Sequence, residues 1–136
     1  MSHLTFRYEP DPNDDVGRLW LSLQTAHFTG TGFFYSYRNG LLEFAEGLRN
    51  YPLAKPLAWK TGYGDAAAKD AILRVQIEPV GPLGHLSAEV EIADLHDPSI
   101  RVNAKFETSY EAVAELRKQL IALSEGRTDE AVLSRV

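Results

Sequence analysis

Leu73-Arg-Val-Gln-Ile77, His85-Leu-Ser-Ala-Glu-Val-Glu-Ile92 and Ile100-Arg-Val-Asn-Ala-Lys-Phe-Glu107 alternate apolar and polar side chains almost without a break. Leu73, Val75 and Ile77 point one way while Arg74, Gln76 and Glu78 point the other. The second stretch sets Leu86, Ala88, Val90 and Ile92 against His85, Ser87, Glu89 and Glu91. The third sets Ile100, Val102, Ala104 and Phe106 against Arg101, Asn103, Lys105 and Glu107. A period of two means strands with one buried face and one wet face. Such strands are normally antiparallel, because parallel sheets are covered on both sides and read as continuous apolar runs. Val80-Gly-Pro-Leu-Gly84 is a turn between the first two, and Asp94-Leu-His-Asp-Pro98 links the second to the third. A three-strand meander from Leu73 to Glu107 follows, with Arg74, Arg101 and Lys105 across from Glu89 and Glu91 on its wet face.

Working outward, Leu4, Phe6 and Tyr8 alternate with His3, Thr5 and Arg7, and Leu19, Leu21 and Leu23 alternate with Trp20, Ser22 and Gln24. Thr29-Gly-Thr-Gly32 interrupts the second of these, and Phe33 to Tyr37 returns as its hairpin partner. Leu57 to Thr61, with Trp59 inward, forms a further strand before Gly62-Tyr-Gly64. Two segments change period. After Asn39 as N-cap, Leu41, Phe44, Ala45, Leu48 and Tyr51 fall at helical spacing, and Pro52 closes the helix. Thr108-Ser-Tyr-Glu111 fits a capping box, and Val113, Leu116, Leu120 and Leu123 make the stripe of a second helix that ends at Gly126.

The order β-β-β-helix-β-β-β-β-helix predicts an α+β two-layer sandwich. Its single, mainly antiparallel sheet would have about six to seven strands, with both helices packed on one face. Residues 1–126 form one domain on this reading, and 127–136 are a frayed C-terminal tail.

A chain of 136 residues is long enough to bury roughly 70% of its extended surface without a staple. Zero cysteines exclude disulfides, iron–sulfur clusters, thiolate zinc sites and a cysteine nucleophile. Lys+Arg 14 against Asp+Glu 19 gives a net charge of −5, which argues against a general phosphate-backbone binder. The longest uncharged run, Leu19 to Tyr37, is interrupted by Ser, Gln, Thr, His and glycine, so it does not read as a membrane helix. Met1 to Pro10 has no apolar signal stretch, and a cytoplasmic location is expected.

Motifs for chemistry are sparse. The histidines at 3, 27, 85 and 96 show no zincin spacing. Asp94-Leu-His96-Asp97 could supply a base or part of a metal site, but its place just before Pro98 in a hairpin loop favours a turn. Asp11, Asn13, Asp14 and Asp15 lack the glycine and terminal glutamate of a calcium loop. Thr29-Gly-Thr-Gly32 lacks the Lys-Ser/Thr of a phosphate loop, and no Gly-x-Ser-x-Gly turn occurs. No catalytic residue, metal ligand or cofactor-binding residue is assigned, and no cofactor is expected.

The aromatic residues are the distinctive feature. A hairpin turning about Gly30 and Thr31 pairs Phe28 with Phe33 and Ala26 with Tyr35. Trp20, Phe28, Phe33, Tyr35 and Tyr37 then share the face opposite Leu19, Leu21 and Leu23, as a partner-binding surface would require. A bulge at one glycine would instead shift the register and bury Phe33 and Tyr35.

Phe28-Thr-Gly30, Leu41-Leu-Glu-Phe44-Ala45-Glu-Gly-Leu48, Gly84-His-Leu-Ser-Ala-Glu-Val-Glu-Ile92 and Phe106-Glu-Thr108 occur in sequence before the Val113/Leu116/Leu120 helix. Together, from Phe28 to Leu123, this order resembles a loose bacterial family of small, largely uncharacterised proteins. Some of that family look like immunity proteins for wall-associated, WapI-type polymorphic toxins. The resemblance implies a non-enzymatic protein-binding domain that covers the active site of a cognate toxin; the aromatic face of the hairpin independently supplies Trp20, Phe33, Tyr35 and Tyr37 as candidate partner-binding residues. The acidic balance is compatible with a basic nuclease as that partner. Self-association is the other protein-binding expectation, and neither nucleic acid nor membrane is expected as a partner. The alternative is a small-molecule-binding protein or small enzyme with a sheet–helix pocket, for which His27, Asp94 and His96 are candidates. Arg38, Arg49, Lys55 and Lys60 form a local basic stretch that the global charge opposes.

Overall fold

A computed structural model describes residues 2–62 and 71–135. Its elements are β1 (His3–Glu9), β2 (Val16–Gln24), β3 (Thr29–Tyr37), α1 (Arg38–Gly47), β4 (Leu57–Gly62), β5 (Ala71–Val80), β6 (His85–Ala93), β7 (Arg101–Ser109), α2 (Tyr110–Ser124) and β8 (Ala131–Ser134). Tyr63 and Gly64 of the glycine motif after β4 lie outside the described residues.

The meander reads as expected. Arg74 pairs with Glu91 and Ile77 with Ala88 across β5 and β6, and Glu89 pairs with Lys105 and Ala88 with Phe106 across β6 and β7. On the wet face the Arg74 guanidinium bonds both Glu89 and Glu91, while Arg101 shares Glu91. Desolvation pulls the Arg74 pKa down, but the hydrogen bonds and charges of Glu89 and Glu91 outweigh it, and the net shift is upward.

A single sheet does not form. The eight strands make two antiparallel sheets of four, ordered β3-β2-β1-β8 and β4-β5-β6-β7. The reason is coverage. Strands lie about 4.8 Å apart and a helix is about 10–12 Å wide. Two helices therefore cover only about four strands, and the other apolar faces must bury each other. Alternation assigns each strand a buried side, but it does not say which strands share a ladder.

The sheets meet at β3, which packs against β4, β5 and β6. Gly30 and Gly32 make this approach feasible. A Cβ on Gly32 would lie 2.7 Å from Ile92 Cγ2 and 3.1 Å from the Ala93 carbonyl oxygen. A Cβ on Gly30 would lie 2.8 Å from Val102 Cγ2. The two helices pack on each other, with α1 also against β3 and β4, and α2 against β1, β7 and β8. One core results, with Phe6, Leu21, Ile77, Leu116 and Leu120 fully buried. Each such side chain is worth about 1.5–3 kcal/mol relative to exposure.

Three local expectations are corrected. The helix α1 begins at Arg38 with Tyr37 as N-cap rather than Asn39, because the chain leaves the last β2–β3 pair, Val16 with Tyr37, directly into the helix. The cap of α2 is Ser109, whose Oγ accepts from the Ala112 N–H at 3.0 Å; Thr108 instead donates to the Ser134 carbonyl at 2.9 Å. The expected frayed tail contains β8, where Ala131 and Leu133 are fully buried opposite Phe6 and Leu4. Gln119 Oε1 accepts the Val132 N–H at 2.8 Å and ties β8 to α2. Among the described residues, no helix is long and apolar enough to cross a membrane.

Candidate functional site

Parity within the first sheet sorts its side chains. Leu4, Phe6, Leu19, Leu21, Leu23 and Phe34 face the core. Their neighbours along each strand face away, so Arg7, Trp20 and Phe33 form one cross-strand row, Glu9, Arg18 and Tyr35 the next, and Val16 and Tyr37 a third. All four candidate partner-binding residues, Trp20, Phe33, Tyr35 and Tyr37, thus sit on one sheet face.

The hairpin that places them differs from the one expected. Its turn spans Thr25–Phe28, Gln24 pairs with Thr29 and Trp20 with Phe33, while Phe28 lies in the loop rather than opposite Phe33. Thr25 holds this loop, its Oγ1 accepting the Phe28 N–H at 3.0 Å and its N–H donating to the Phe28 carbonyl at 2.8 Å. The turn is displaced by an even number of residues, so each β3 side chain keeps its assigned face. No bulge interrupts the β2–β3 register, and Phe34, not Phe33 or Tyr35, is the ring in the core.

The rings form a connected strip. Trp20 and Phe33 lie 4.6 Å apart between centroids, and Tyr35 meets Phe33 edge-on at 6.1 Å. Tyr35 is 48% exposed and Tyr37 62%, so both offer much of their rings to solvent. Arg7 sits over Trp20 at 6.0 Å and Arg18 over Phe33 at 5.6 Å, within cation–π range. Glu9 is paired with Arg18 across the strands, yet its carboxylate accepts the Trp20 indole N–H. Arg7 and Arg18 belong with the candidate residues, and their alternation parity places them beside the aromatics.

The remaining candidates do not converge. His27 is exposed in the β2–β3 loop, while Asp94 and His96 are exposed in the β6–β7 loop. Asp94 Oδ1 accepts the His96 N–H at 2.8 Å, and Asp97 Oδ1 accepts from Ser99, so this segment is a pair of turns built on side-chain oxygens. Of the basic stretch, Arg49 pairs with Glu46, while Arg38 and Lys60 share a cleft with Asp14, Asp15 and Glu43. That cleft, of about 1110 Å³, lies between β3, β4 and the start of α1, with Tyr35, Tyr37 and Trp59 in its walls. At its edge the half-buried Tyr8 hydroxyl donates to the Ser36 carbonyl at 3.0 Å, and partial burial raises its pKa above the usual 10.0.

Comparison of the chain with family models, with curated proteins and with solved structures finds no match.

Proposed function

We propose that this chain is a non-enzymatic protein-binding domain whose docking face is the outer side of β1–β3. Its role in this reading is immunity-like: it neutralises a cognate bacterial toxin in the cytoplasm, as the sequence resemblance implies. One observation carries the binding role. Trp20, Phe33 and Tyr35 form a connected strip, with the exposed Tyr37 next along the same strand face, on a sheet face turned away from the core, where folding alone would place polar residues. Trp, Tyr and Arg are the residue types that dominate interface energetics, and Arg7 and Arg18 complete the set.

The test is co-expression with toxin domains encoded beside this chain. Rescue of growth and a stoichiometric complex are expected. Replacing Trp20 and Tyr35 by alanine should weaken that complex by about thirtyfold or more, equivalent to a hot-spot loss of at least 2 kcal/mol. Failure of every neighbouring toxin to be neutralised, or full neutralisation by the double variant, would refute the reading.

The cleft between β3, β4 and α1 favours a second reading, a small-molecule site walled by Tyr35, Tyr37 and Trp59. A ligand there would shift the Trp59 indole resonance and leave that of Trp20 in place; a toxin domain would do the reverse.

A further inference from the structure

The outer edges of the two sheets are not finished alike. β8 is short, and Gln119 from α2 takes its Val132 N–H. At β4 a register shift falls between Thr61 and Gly62, and Thr61 Oγ1 donates to the Tyr35 carbonyl of β3 at 3.2 Å. Ser36, next on β3, accepts from Tyr8. β7 ends its sheet beyond β6 with none of these devices. Its nine-residue ladder has no bulge and no proline, and among the described residues no backbone hydrogen bond reaches its far side. That side presents peptide groups of one parity. The Asp94 N–H donates to the Ile100 carbonyl at 2.9 Å, so Val102, Ala104 and Phe106 bond toward β6, while Arg101, Asn103, Lys105 and Glu107 turn their N–H and C=O groups outward. The apolar face of the strand is unfinished as well. Leu86, Ala88 and Val90 on β6 are fully buried, whereas Val102 and Ala104 on β7 are half-buried and Ile100 is 61% exposed.

We infer that a second copy of this chain covers that edge: β7 pairs antiparallel with its twofold-related counterpart, and the two four-stranded sheets run on as one. The strand's own sequence selects the register. A twofold axis through Ala104 sets Arg101 against Glu107, Val102 against Phe106 and Asn103 against Lys105 of the second copy. Apolar side chains then face apolar ones across the axis, and each Arg101 meets a carboxylate. The same axis at Asn103 would face Arg101 with Lys105, and at Lys105 it would face that lysine with itself. An axis between two residues would set inward side chains against outward ones. Glu107 makes no ion pair among the described residues, so its carboxylate is available. Arg101 holds Glu91 through one nitrogen and the Pro98 carbonyl through another, and keeps its third for Glu107. The added strand also completes the burial of Val102 and Ala104, as β7 itself does for Ala88 and Val90.

Sedimentation equilibrium of the intact chain tests this, with a dissociation constant of about 1–100 μM expected for an interface of edge-strand size. Because the chain has no cysteine, single cysteines report the register directly. Ala104 would face itself in a non-hydrogen-bonded pair with Cα atoms about 4.5 Å apart, within disulfide reach, whereas Asn103 or Lys105 would lie about 8 Å from its own copy. Mild oxidation should therefore link Ala104→Cys into a covalent dimer and leave Asn103→Cys and Lys105→Cys unlinked. Asn103→Pro removes an outward N–H without touching the β6 ladder and should leave a monomer. Glu107→Lys, on the exposed face, should weaken the dimer by about tenfold even if the proline variant does not fold. A monomer at every concentration up to about 1 mM overturns the inference. So does a dimer that survives Glu107→Lys unchanged or links better through Asn103→Cys or Lys105→Cys. Loss of the dimer on replacing Trp20 and Tyr35 by alanine would place self-association on the β1–β3 face and overturn it as well.

Discussion

Replacing Gly32 by alanine tests the packing that joins the two sheets. Strand propensity alone predicts a gain, since a glycine in a strand has more freedom to lose on folding. Gly→Ala at a compatible site is worth about 0.4–1 kcal/mol in favour. Here the new Cβ would stand 2.7 Å from Ile92 Cγ2 and 3.1 Å from the Ala93 carbonyl oxygen. Ile92 is only 3% exposed, so its side chain has little room to swing, and the second contact is backbone. Overpacking of this kind costs about 1–3 kcal/mol. The net expectation is a loss of about 1–2 kcal/mol. Urea unfolding followed by circular dichroism reads it as a fall in midpoint of about 0.5–1 M, with an m value of about 2 kcal/mol/M. Combining Gly32→Ala with Ile92→Ala provides a second check: the double variant should lose about 1 kcal/mol less than the two single losses added together. A Gly32→Ala protein as stable as the parent, together with additive losses in the double variant, would show that the sheets do not pack as described.

Leu133→Ala should cost about 2–5 kcal/mol, because Leu133 is fully buried; a loss below about 0.5 kcal/mol by urea unfolding would return the C-terminal segment to a loose end. Ser109→Ala should cost about 1 kcal/mol and Glu111→Ala clearly less, since Ser109 Oγ alone accepts a first-turn N–H; the reverse order would restore the capping box. For Tyr8, burial raises the folded-state pKa above 10.0, so the folded form holds its proton more tightly than the unfolded form does. The resulting stability is whole below pH about 10 and declines as pH rises toward the folded-state value. Tyr8→Phe should therefore lower stability at neutral pH, by losing the bond to Ser36, but flatten the alkaline decline. Parallel alkaline declines in the two proteins would contradict this.

Period-two patterning made the meander and its wet face legible, because Arg74, Glu89, Glu91 and Lys105 all fall outward once Leu73, Val75, Ile77 and Ala88 are inside, and oppositely charged neighbours favour the register observed. It could not reveal the division into two sheets. That depends on how much apolar surface two helices can cover, and on the close approach at Gly30 and Gly32, neither of which is a local signal. β8 escaped notice for a different reason. Ala131-Val-Leu133 does alternate, but four residues are too short a window to separate a strand from a fraying end, and its anchors, Gln119 and Thr108, are remote in sequence. The aromatic strip was legible even with its turn misplaced, because the error was even and parity is all that decides a face. Arg7 and Arg18 were legible by the same rule, once Trp20 had been assigned outward.

β3 is built the wrong way round for a strand whose only task is to fold. On its core side it carries Gly30, Gly32 and Ser36, and on its solvent side Phe33, Tyr35 and Tyr37; Phe34 and the exposed Thr29 and Thr31 follow the ordinary preference. The small inward residues have a structural cause, since Ile92 and Val102 occupy the space their side chains would need. The large outward residues have a partial one. Cross-strand pairs such as Trp20 with Phe33 contribute about 0.2–1 kcal/mol to the sheet. That accounts for one pair and not for Tyr37, which lies 62% exposed opposite Val16. Nor does it account for Glu9 bonding an indole while its cross-strand neighbour Arg18 has no carboxylate within ion-pair distance among the described residues. Rings and guanidinium groups left over after the fold has met its own needs are the part of this sequence that a partner would use.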